Sequence, residues 1–234
     1  GKLGRTMRAL IPALVLALAL AGLAWAMQTG RTLLGPIGVF LGVWMIAGAV
    51  TDIVGRLGQT RDWSRLRRLP RADWGKTVAH TGLGITFIGI AGLLAWEQED
   101  IRVAQFNQPY AVGQFELELL DVRDIEGPNY FSTMGEVAVR RNGEQVAMLY
   151  PEKRNYPVAQ MPTTEAAIDY RFLRDVYVVI GDQQGNGGWV VRTYIKPLAN
   201  WIWAGTIIMS IGGLLSLTDR RFRVAAGAAK STTR

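Results

Sequence analysis

Four long apolar blocks constrain the fold of this chain more than any other feature of its sequence. They run over about residues 10–27, 32–54, 77–96 and 197–217. Each block is close to the ~20 mostly apolar residues that an α-helix needs to cross a bilayer. The hydrophobic residues, 49% of the chain, are gathered in these blocks instead of recurring at the spacing of a globular core. The sequence therefore predicts an α-helical membrane protein with four transmembrane helices.

The start of the chain allows a second interpretation. Lys2, Arg5 and Arg8 precede the first apolar block, and a basic segment before an apolar core is also typical of a signal peptide. A second full-length block follows after only a short turn, which favours a spanning helix. Because the first residue is Gly1 rather than methionine, we expect the chain to be either a natural split subunit or a fragment of a longer protein.

The distribution of Lys and Arg predicts which segments face the cytoplasm, because cytoplasmic loops carry the excess of these residues. Of the 26 Lys and Arg residues, 15 lie at the amino end, in residues 55–76 and in the tail at 218–234. Residues 97–196 carry ten of them against 15 acidic residues, a net charge of −5. We therefore expect the termini and the 55–76 loop on the cytoplasmic side and residues 97–196 on the outer side.

The domain organisation follows from these segments: three helices within 1–96, an outer domain over 97–196, a fourth helix over 197–217 and a basic tail over 218–234. The net charge of +7 is explained by the asymmetry between the loops, so no nucleic-acid partner is expected. The basic run at 61–71 is compatible with RNA contact, but a juxtamembrane arginine cluster more commonly faces anionic lipid.

The outer domain has the pattern of antiparallel β-structure. Apolar and polar residues alternate over 115–122, which places alternate side chains on one strand face. The pair Asn142-Gly143 separates two further strand-like runs, and Asn-Gly supplies the positive φ angles of a two-residue hairpin turn. We predict a small barrel or sandwich of five to seven strands. The remaining predicted strands are the hairpin partners 136–141 and 144–149, and 176–180 and 189–195.

The content of cysteine and histidine limits the chemistry. The chain has no cysteine and one histidine, which excludes a disulfide framework, a cysteine nucleophile and a multi-histidine metal site within it. His80 lies inside the third apolar block, and an ionisable residue in a membrane helix is a functional candidate. Neutral imidazole is a good ligand for iron, but a hydrogen bond to a neighbouring helix would also explain this residue. Asp52, near the end of the second block, is interpreted as snorkelling to the membrane surface rather than marking a proton path.

Seven segments of the chain share their sequences with one known family. They are RADWGKTVAHTGLGIT (71–86), EGPNYFSTMGE (126–136), YPEKRNYPV (150–158), TTEAAID (163–169), DVYVVIGD (175–182), WVVRTYIKPLANWIWAG (189–205) and GGLLSLTDRR (212–221). In these segments the chain resembles the carboxy-terminal part of CcmF, the haem lyase of bacterial cytochrome c maturation. The resemblance extends over about 71–223, whereas the first two helices match only in being hydrophobic.

The resemblance implies a component of the haem lyase, which attaches haem covalently to the thiols of apocytochrome c. His80 matches a transmembrane histidine that holds a resident haem b, and Gly82 and Gly84 are expected to leave room beside it. The second axial ligand must come from outside this chain. The tryptophan-rich haem-handling segment of the family is not found here, so we expect a larger lyase partner and other maturation subunits. The contacts with that partner are predicted along Gly38, Gly42, Gly84 and Gly92.

The resemblance also implies a bacterial inner-membrane location with residues 97–196 in the periplasm. No catalytic residue is identified, and whether the chain is itself an enzyme stays open. The alternative is a membrane-anchored scaffold subunit of the maturation complex without a redox role. The candidate surface for haem or apocytochrome comprises residues of two neighbouring motifs: Glu152, Lys153, Arg154, Tyr156, Thr163, Thr164 and Glu165.

Overall fold

The computed structural model describes residues 2–57 and 63–219 of the chain. These residues divide into two compact units. The first is helical and includes the segments before and after the second, which is Trp96–Pro197 and consists of β-strands. The predicted fold class, a membrane protein with one β domain between the third and fourth apolar helices, is confirmed.

Within residues 2–57 and 63–219, four helices are long and apolar enough to cross a membrane. A short 3-10 helix, Trp63–Arg68, lies between the second and the third. The four helices are α1 (Lys2–Met27), α2 (Leu34–Arg56), α3 (Arg71–Trp96) and α4 (Ala199–Leu217).

Two helices begin earlier than hydropathy predicts. α3 starts at Arg71 instead of residue 77, and α1 starts at Lys2 instead of residue 10. Hydropathy detects only the apolar part of a helix, whereas backbone hydrogen bonding continues into polar residues. Asp73 in the first turn of α3 is favourable there, because the amino end of a helix carries partial positive charge. Of the predicted loop and tail, residues 58–62 and 220–234 lie outside the described residues.

Glycines bring α3 into backbone contact with both neighbouring helices. A Cβ atom added at Gly42 of α2 would lie 2.7 Å from the carbonyl oxygen of Gly84 on α3. On the other side, a Cβ at Gly75 would lie 2.6 Å from the carbonyl oxygen of Gly212 on α4. Larger residues at these positions would separate the helices, as expected for membrane interfaces built on small residues.

This packing corrects two predictions about glycine. Gly38, Gly42 and Gly84 were predicted to contact a partner, but they pack between α2 and α3 of the same chain. Gly82 faces the backbone of Met209 on α4, so neither Gly82 nor Gly84 opens space beside His80. The spacing of small residues identifies a close interface but does not identify the helix on its other side.

The β unit has ten strands among the described residues, more than the five to seven predicted. The strands are β1 (Gln98–Ala104), β2 (Tyr110–Val112), β3 (Phe115–Glu126), β4 (Phe131–Arg141), β5 (Glu144–Leu149), β6 (Glu152–Tyr156), β7 (Met161–Glu165), β8 (Ala167–Tyr170), β9 (Arg174–Gln183) and β10 (Trp189–Pro197). One sheet has the order β1-β10-β9-β8, and the other has the order β2-β3-β4-β6-β7 with β5 also paired to β4. All of these pairings are antiparallel.

The predicted hairpin and strands are confirmed. β4 pairs with β5, and the turn between them places Asn142 at φ 53° and Gly143 at φ 82°. The segments 176–180 and 189–195 lie within β9 and β10. Five strands were missed: β2, β6, β7 and β8, which have three to five residues each, and β1, whose seven residues alternate between more and less exposed positions.

The hydrophobic core of the β unit contains the side chains that alternation placed on one face of β3. Phe115, Leu117 and Leu119 are buried, together with valines from β4 and β9. Burial of each large apolar side chain contributes roughly 1.5–3 kcal/mol. This core gives the two sheets a stable frame on which β6 and β7 present polar side chains.

Candidate functional site

His80 is held on α3 by a hydrogen bond within its own helix. Its Nδ1 lies 2.8 Å from the backbone carbonyl oxygen of Lys76, one helical turn earlier. A carbonyl oxygen can only accept, so Nδ1 must carry the proton. In this tautomer of the neutral imidazole, Nε2 has a free lone pair and can bind a metal. A carbonyl that receives the other ring N–H is also the usual way in which proteins orient a ligating histidine.

The exposed His80 side chain lines an open cavity of about 640 Å³ on the helical unit. Its walls come from α1, α2 and α3, and small residues such as Ala9, Gly48 and Ala49 leave the space open. This volume falls in the range of small-molecule and cofactor sites, roughly 300–1,000 Å³. We refer to it as the His80 cavity.

A cluster of charged residues lines the same cavity. Asp52 of α2 accepts from Lys76 Nζ at 2.7 Å and from Arg56 Nε at 3.3 Å. Arg56 Nη1 in turn lies 2.8 Å from Asp73 of α3. Two cations and two carboxylates therefore balance. Asp52 is more than a snorkelling residue, because it joins α2 to α3 beside His80.

Sequence reasoning found His80 and Asp52 but missed Lys76 as the partner of both, and it missed Asp73 as the partner of Arg56. The bond from His80 to Lys76 could have been anticipated from the spacing of four residues in a helix. The pairing of Asp52 with Lys76 could not, because the two residues belong to different helices. It depends on how α2 and α3 pack.

The residues of the His80 cavity fit one axial position of a haem. A single imidazole with a free Nε2 beside a largely apolar space is the donor that haem iron uses. A second histidine ligand is not available from this chain, which has one histidine. Among the described residues there is also no group of three or more His, Cys, Asp or Glu that could hold a bare metal ion.

The second candidate site is the hairpin of β6 and β7. The two strands pair antiparallel, so residues from two separate sequence motifs come to lie opposite each other. The register aligns Glu152 with Glu165, Lys153 with Thr164 and Arg154 with Thr163, and Tyr156 lies at the end of β6. All seven residues of the predicted surface therefore lie on one hairpin.

One face of this hairpin is an ordered cluster around Arg154. Its Nε donates to Oε2 of Glu152 at 2.8 Å, and its guanidinium stacks 4.5 Å from the ring centre of Tyr130. Ser132 also donates to Glu152 Oε2 at 2.9 Å. These hydrogen bonds, chiefly that from Arg154, lower the pKa of Glu152. The carboxylate is therefore ionised and already accepts from two donors, which suits binding or structure better than proton transfer.

Lys153 connects two grooves on the β unit. It pairs with Asp182 of β9, and it lines both a groove of about 640 Å³ and one of about 720 Å³. The larger groove also contains Tyr177, Arg192 and Lys196. Such mixed aromatic and charged surfaces can bind a partner through stacking and ion pairs.

Comparison with known proteins agrees with this architecture. Residues 95–197 match the family described as CcmF C-terminal beta-sandwich. The cytochrome c-type biogenesis protein ccl1 of Rhodobacter capsulatus is 54% identical over 98% of this chain and 35% of its own length. CycK of Rhizobium meliloti is 40% identical over 97% of the chain and 34% of its own length. CcmF of Escherichia coli is 34% identical over 92% of the chain and 32% of its own length.

A solved structure named Cytochrome c Heme Lyase CcmF also resembles the chain. The TM-score is 0.68 over 88% of this chain and 34% of that one. At 20% sequence identity this likeness establishes the fold. The chain spans about a third of the length of these relatives.

Proposed function

Because the chain belongs to the CcmF family of cytochrome c-type biogenesis proteins, we propose that it is a component of a haem lyase in which His80 holds a resident haem b. The observation that carries the proposal is the hydrogen bond from Nδ1 to the Lys76 carbonyl, which leaves Nε2 able to ligate beside a cavity of suitable volume. A second ligand to the haem iron would come from outside this chain, which has one histidine.

The reaction of a haem lyase forms thioether bonds between two cysteines of apocytochrome c and the two vinyl groups of haem. Each thiol S–H adds across one vinyl C=C bond, so that sulfur bonds to one carbon and the hydrogen goes to the other. The substrates supply all of the reacting atoms, and the protein contributes orientation and exclusion of water. A resident haem b, when bound, would supply a one-electron redox centre.

The residues of this chain would act by positioning. The Lys76 carbonyl fixes the tautomer and the orientation of the His80 ring. The pairing of Asp52 with Lys76 holds α2 against α3 beside the ring. We assign no acid–base or nucleophilic step to any of these side chains.

The β6–β7 hairpin would form part of the surface over which haem or apocytochrome c passes. This proposal is supported by the pairing of β6 with β7, which brings Glu152, Arg154 and Thr163 together next to two open grooves. The proposed location is the bacterial inner membrane, with the β unit in the periplasm and both termini in the cytoplasm. The asymmetry of Lys and Arg between the loops supports this orientation.

Replacement of His80 by alanine tests the proposal. We expect the H80A variant, expressed with the other maturation subunits, to reach the membrane in normal amounts and to lose most of its b-type absorbance. Thr81→Ala is the matched control, because it is the next residue of α3 and does not line the cavity. Exogenous imidazole should restore part of the haem in an H80G variant.

An H80A variant with undiminished b-type absorbance would refute the assignment of His80. A wild-type complex that contains this chain and has no b-type absorbance at all would instead favour the scaffold function. The two outcomes are distinguishable because the first is measured on the H80A variant and the second on the wild-type complex.

A further inference from the structure

The turn between β8 and β9 exposes three large apolar side chains within four residues. The exposed fractions are 64% for Tyr170, 72% for Phe172 and 62% for Leu173. Single exposed apolar residues are ordinary on protein surfaces, whereas a contiguous group marks a surface that contacts another apolar phase. We refer to residues 170–173 as the Tyr170–Leu173 turn.

The backbone of this turn is fixed by the residues that flank its apolar side chains. The N–H of Arg171 donates to the carbonyl oxygen of Arg174 at 3.1 Å and to Asp175 Oδ1 at 3.1 Å. The carboxylate of Asp169 accepts from Arg171 Nε at 3.0 Å and from Arg174 Nη1 at 2.7 Å. The turn is therefore a built feature that presents its apolar side chains in a defined conformation.

The strand register places the turn at one particular end of its sheet. Arg174, the first residue of β9, pairs with Pro197, the last residue of β10. In the same sheet, Gln98 at the start of β1 pairs with Ile195. One residue separates Pro197 from α4, and one separates Gln98 from α3. The turn thus lies at the end of the sheet through which the chain passes into two membrane-spanning helices.

We propose that the Tyr170–Leu173 turn inserts into the lipid interface of the membrane. Tyrosine is enriched at this depth, where an apolar ring and a polar hydroxyl are both accommodated. Phe172 and Leu173 on the same turn extend toward the acyl chains, while Arg171 and Arg174 stay paired with Asp169 at the base of the turn. This contact does not depend on haem binding, so it stands or falls separately from the role of His80.

The opposite end of the β unit provides an internal control. Val158, at the tip of the β6–β7 hairpin, is 98% exposed. Pro162 of that hairpin lines the same groove as Gln183, the last residue of β9. β9 begins beside the Tyr170–Leu173 turn, and its ten residues span about 30 Å at ~3.3 Å per residue. The turn and the tip are therefore at different ends of the strands.

The absence of cysteine from the chain makes a depth measurement possible. Leu173→Cys and Val158→Cys are each labelled with a nitroxide in the full chain, reconstituted into vesicles of phosphatidylethanolamine and phosphatidylglycerol. Collision rates are measured with oxygen, which concentrates in lipid, and with a water-soluble nickel chelate. We expect the label at 173 to collide mainly with oxygen, and the label at 158 to collide mainly with the chelate.

Equal access of the nickel chelate to both labels would overturn the proposal, because it would place the turn in water. Low access of both reagents at 173 would also overturn it, since the turn would then be covered by protein. Circular dichroism of the labelled variants verifies that the β unit is intact. Repetition of the measurement with H80A in the background separates this result from the haem proposal.

Discussion

The helical unit and the β unit bury side chains of different sizes. In the helical unit the buried positions are mainly small, for example Ala17 and Ala91, whereas Leu18 and Ile207 point outward. In the β unit the buried positions are large, for example Leu117. The difference follows from the surroundings. Water drives large apolar side chains into a core, but lipid is as apolar as leucine, so membrane helices gain stability by close approach of small residues.

This comparison predicts where a single truncation is most damaging. Leu117→Ala in the β core should cost about 2–5 kcal/mol, because it removes transfer free energy and leaves a cavity. Leu18→Ala on α1, where the side chain is 57% exposed, should change the stability far less. Hydrogen exchange of β4 amides in the full chain measures the first effect, and thermal denaturation in detergent measures the second. Similar losses for both variants would contradict the proposed difference between the units.

The same contrast explains what the sequence could and could not predict. Hydropathy located the four apolar helices, and alternation located β3, whose Phe115, Leu117 and Leu119 lie in the core. β6 and β7 were missed because their sequences, EKRNY and MPTTE, contain mainly polar residues and a proline. Their packing comes from pairing with a neighbouring strand, which no local pattern records.

The candidate sites divide in the same way. His80 could be found from sequence because a lone histidine in an apolar block is unusual. The residues of the hairpin surface came only from resemblance to a family, and the structure supplies the register that brings them together. The pairs formed by Asp52 with Lys76 and by Gly42 with Gly84 depend on the packing of α2 against α3. Sequence spacing within one helix carries no information about such contacts.

Two adjacent glycines of α4 test whether close helix contacts stabilise the helical unit. A Cβ at Gly212 would lie 2.7 Å from the carbonyl oxygen of Gly75 and would force α3 and α4 apart. A Cβ at Gly213 meets no atom within 4 Å among the described residues. We therefore expect Gly212→Leu to lose about 1–3 kcal/mol, in the range of overpacked interiors, and Gly213→Leu to be nearly neutral.

Thermal denaturation of the full chain in detergent, followed by the amount of folded protein, measures this difference. Because both variants add the same side chain to the same helix, helix propensity and hydrophobicity cancel between them. If Gly213→Leu were as destabilising as Gly212→Leu, a general effect of the added leucine, and not contact with α3, would be responsible.

The smallest expected effect concerns the exposed polar surface of the β unit. Hydrogen bonds from Arg154 and Ser132 lower the pKa of Glu152 below its ordinary value of 4.5. The stabilisation is therefore complete above that value and is lost as the pH falls through the lower pKa of the folded state. For a partly exposed ion pair we expect less than about 1 kcal/mol. Glu152→Gln should remove this part of the pH dependence, whereas Glu144→Gln, at an exposed position beside the β4–β5 turn, should retain it.

The measurement is hydrogen exchange of the β6 amides as a function of pH, corrected for the intrinsic exchange rates. Local exchange reports the stability of the hairpin itself, separately from the large contribution of the hydrophobic core to the stability of the β unit. Local stability of wild type that is unchanged between pH 6 and pH 3 would mean that Arg154 holds the hairpin through its stacking on Tyr130 and not through its bond to Glu152. In that case the stability of the hairpin, like that of the core, would come from packing contacts. The two units would then differ only in the size of the side chains that they bury.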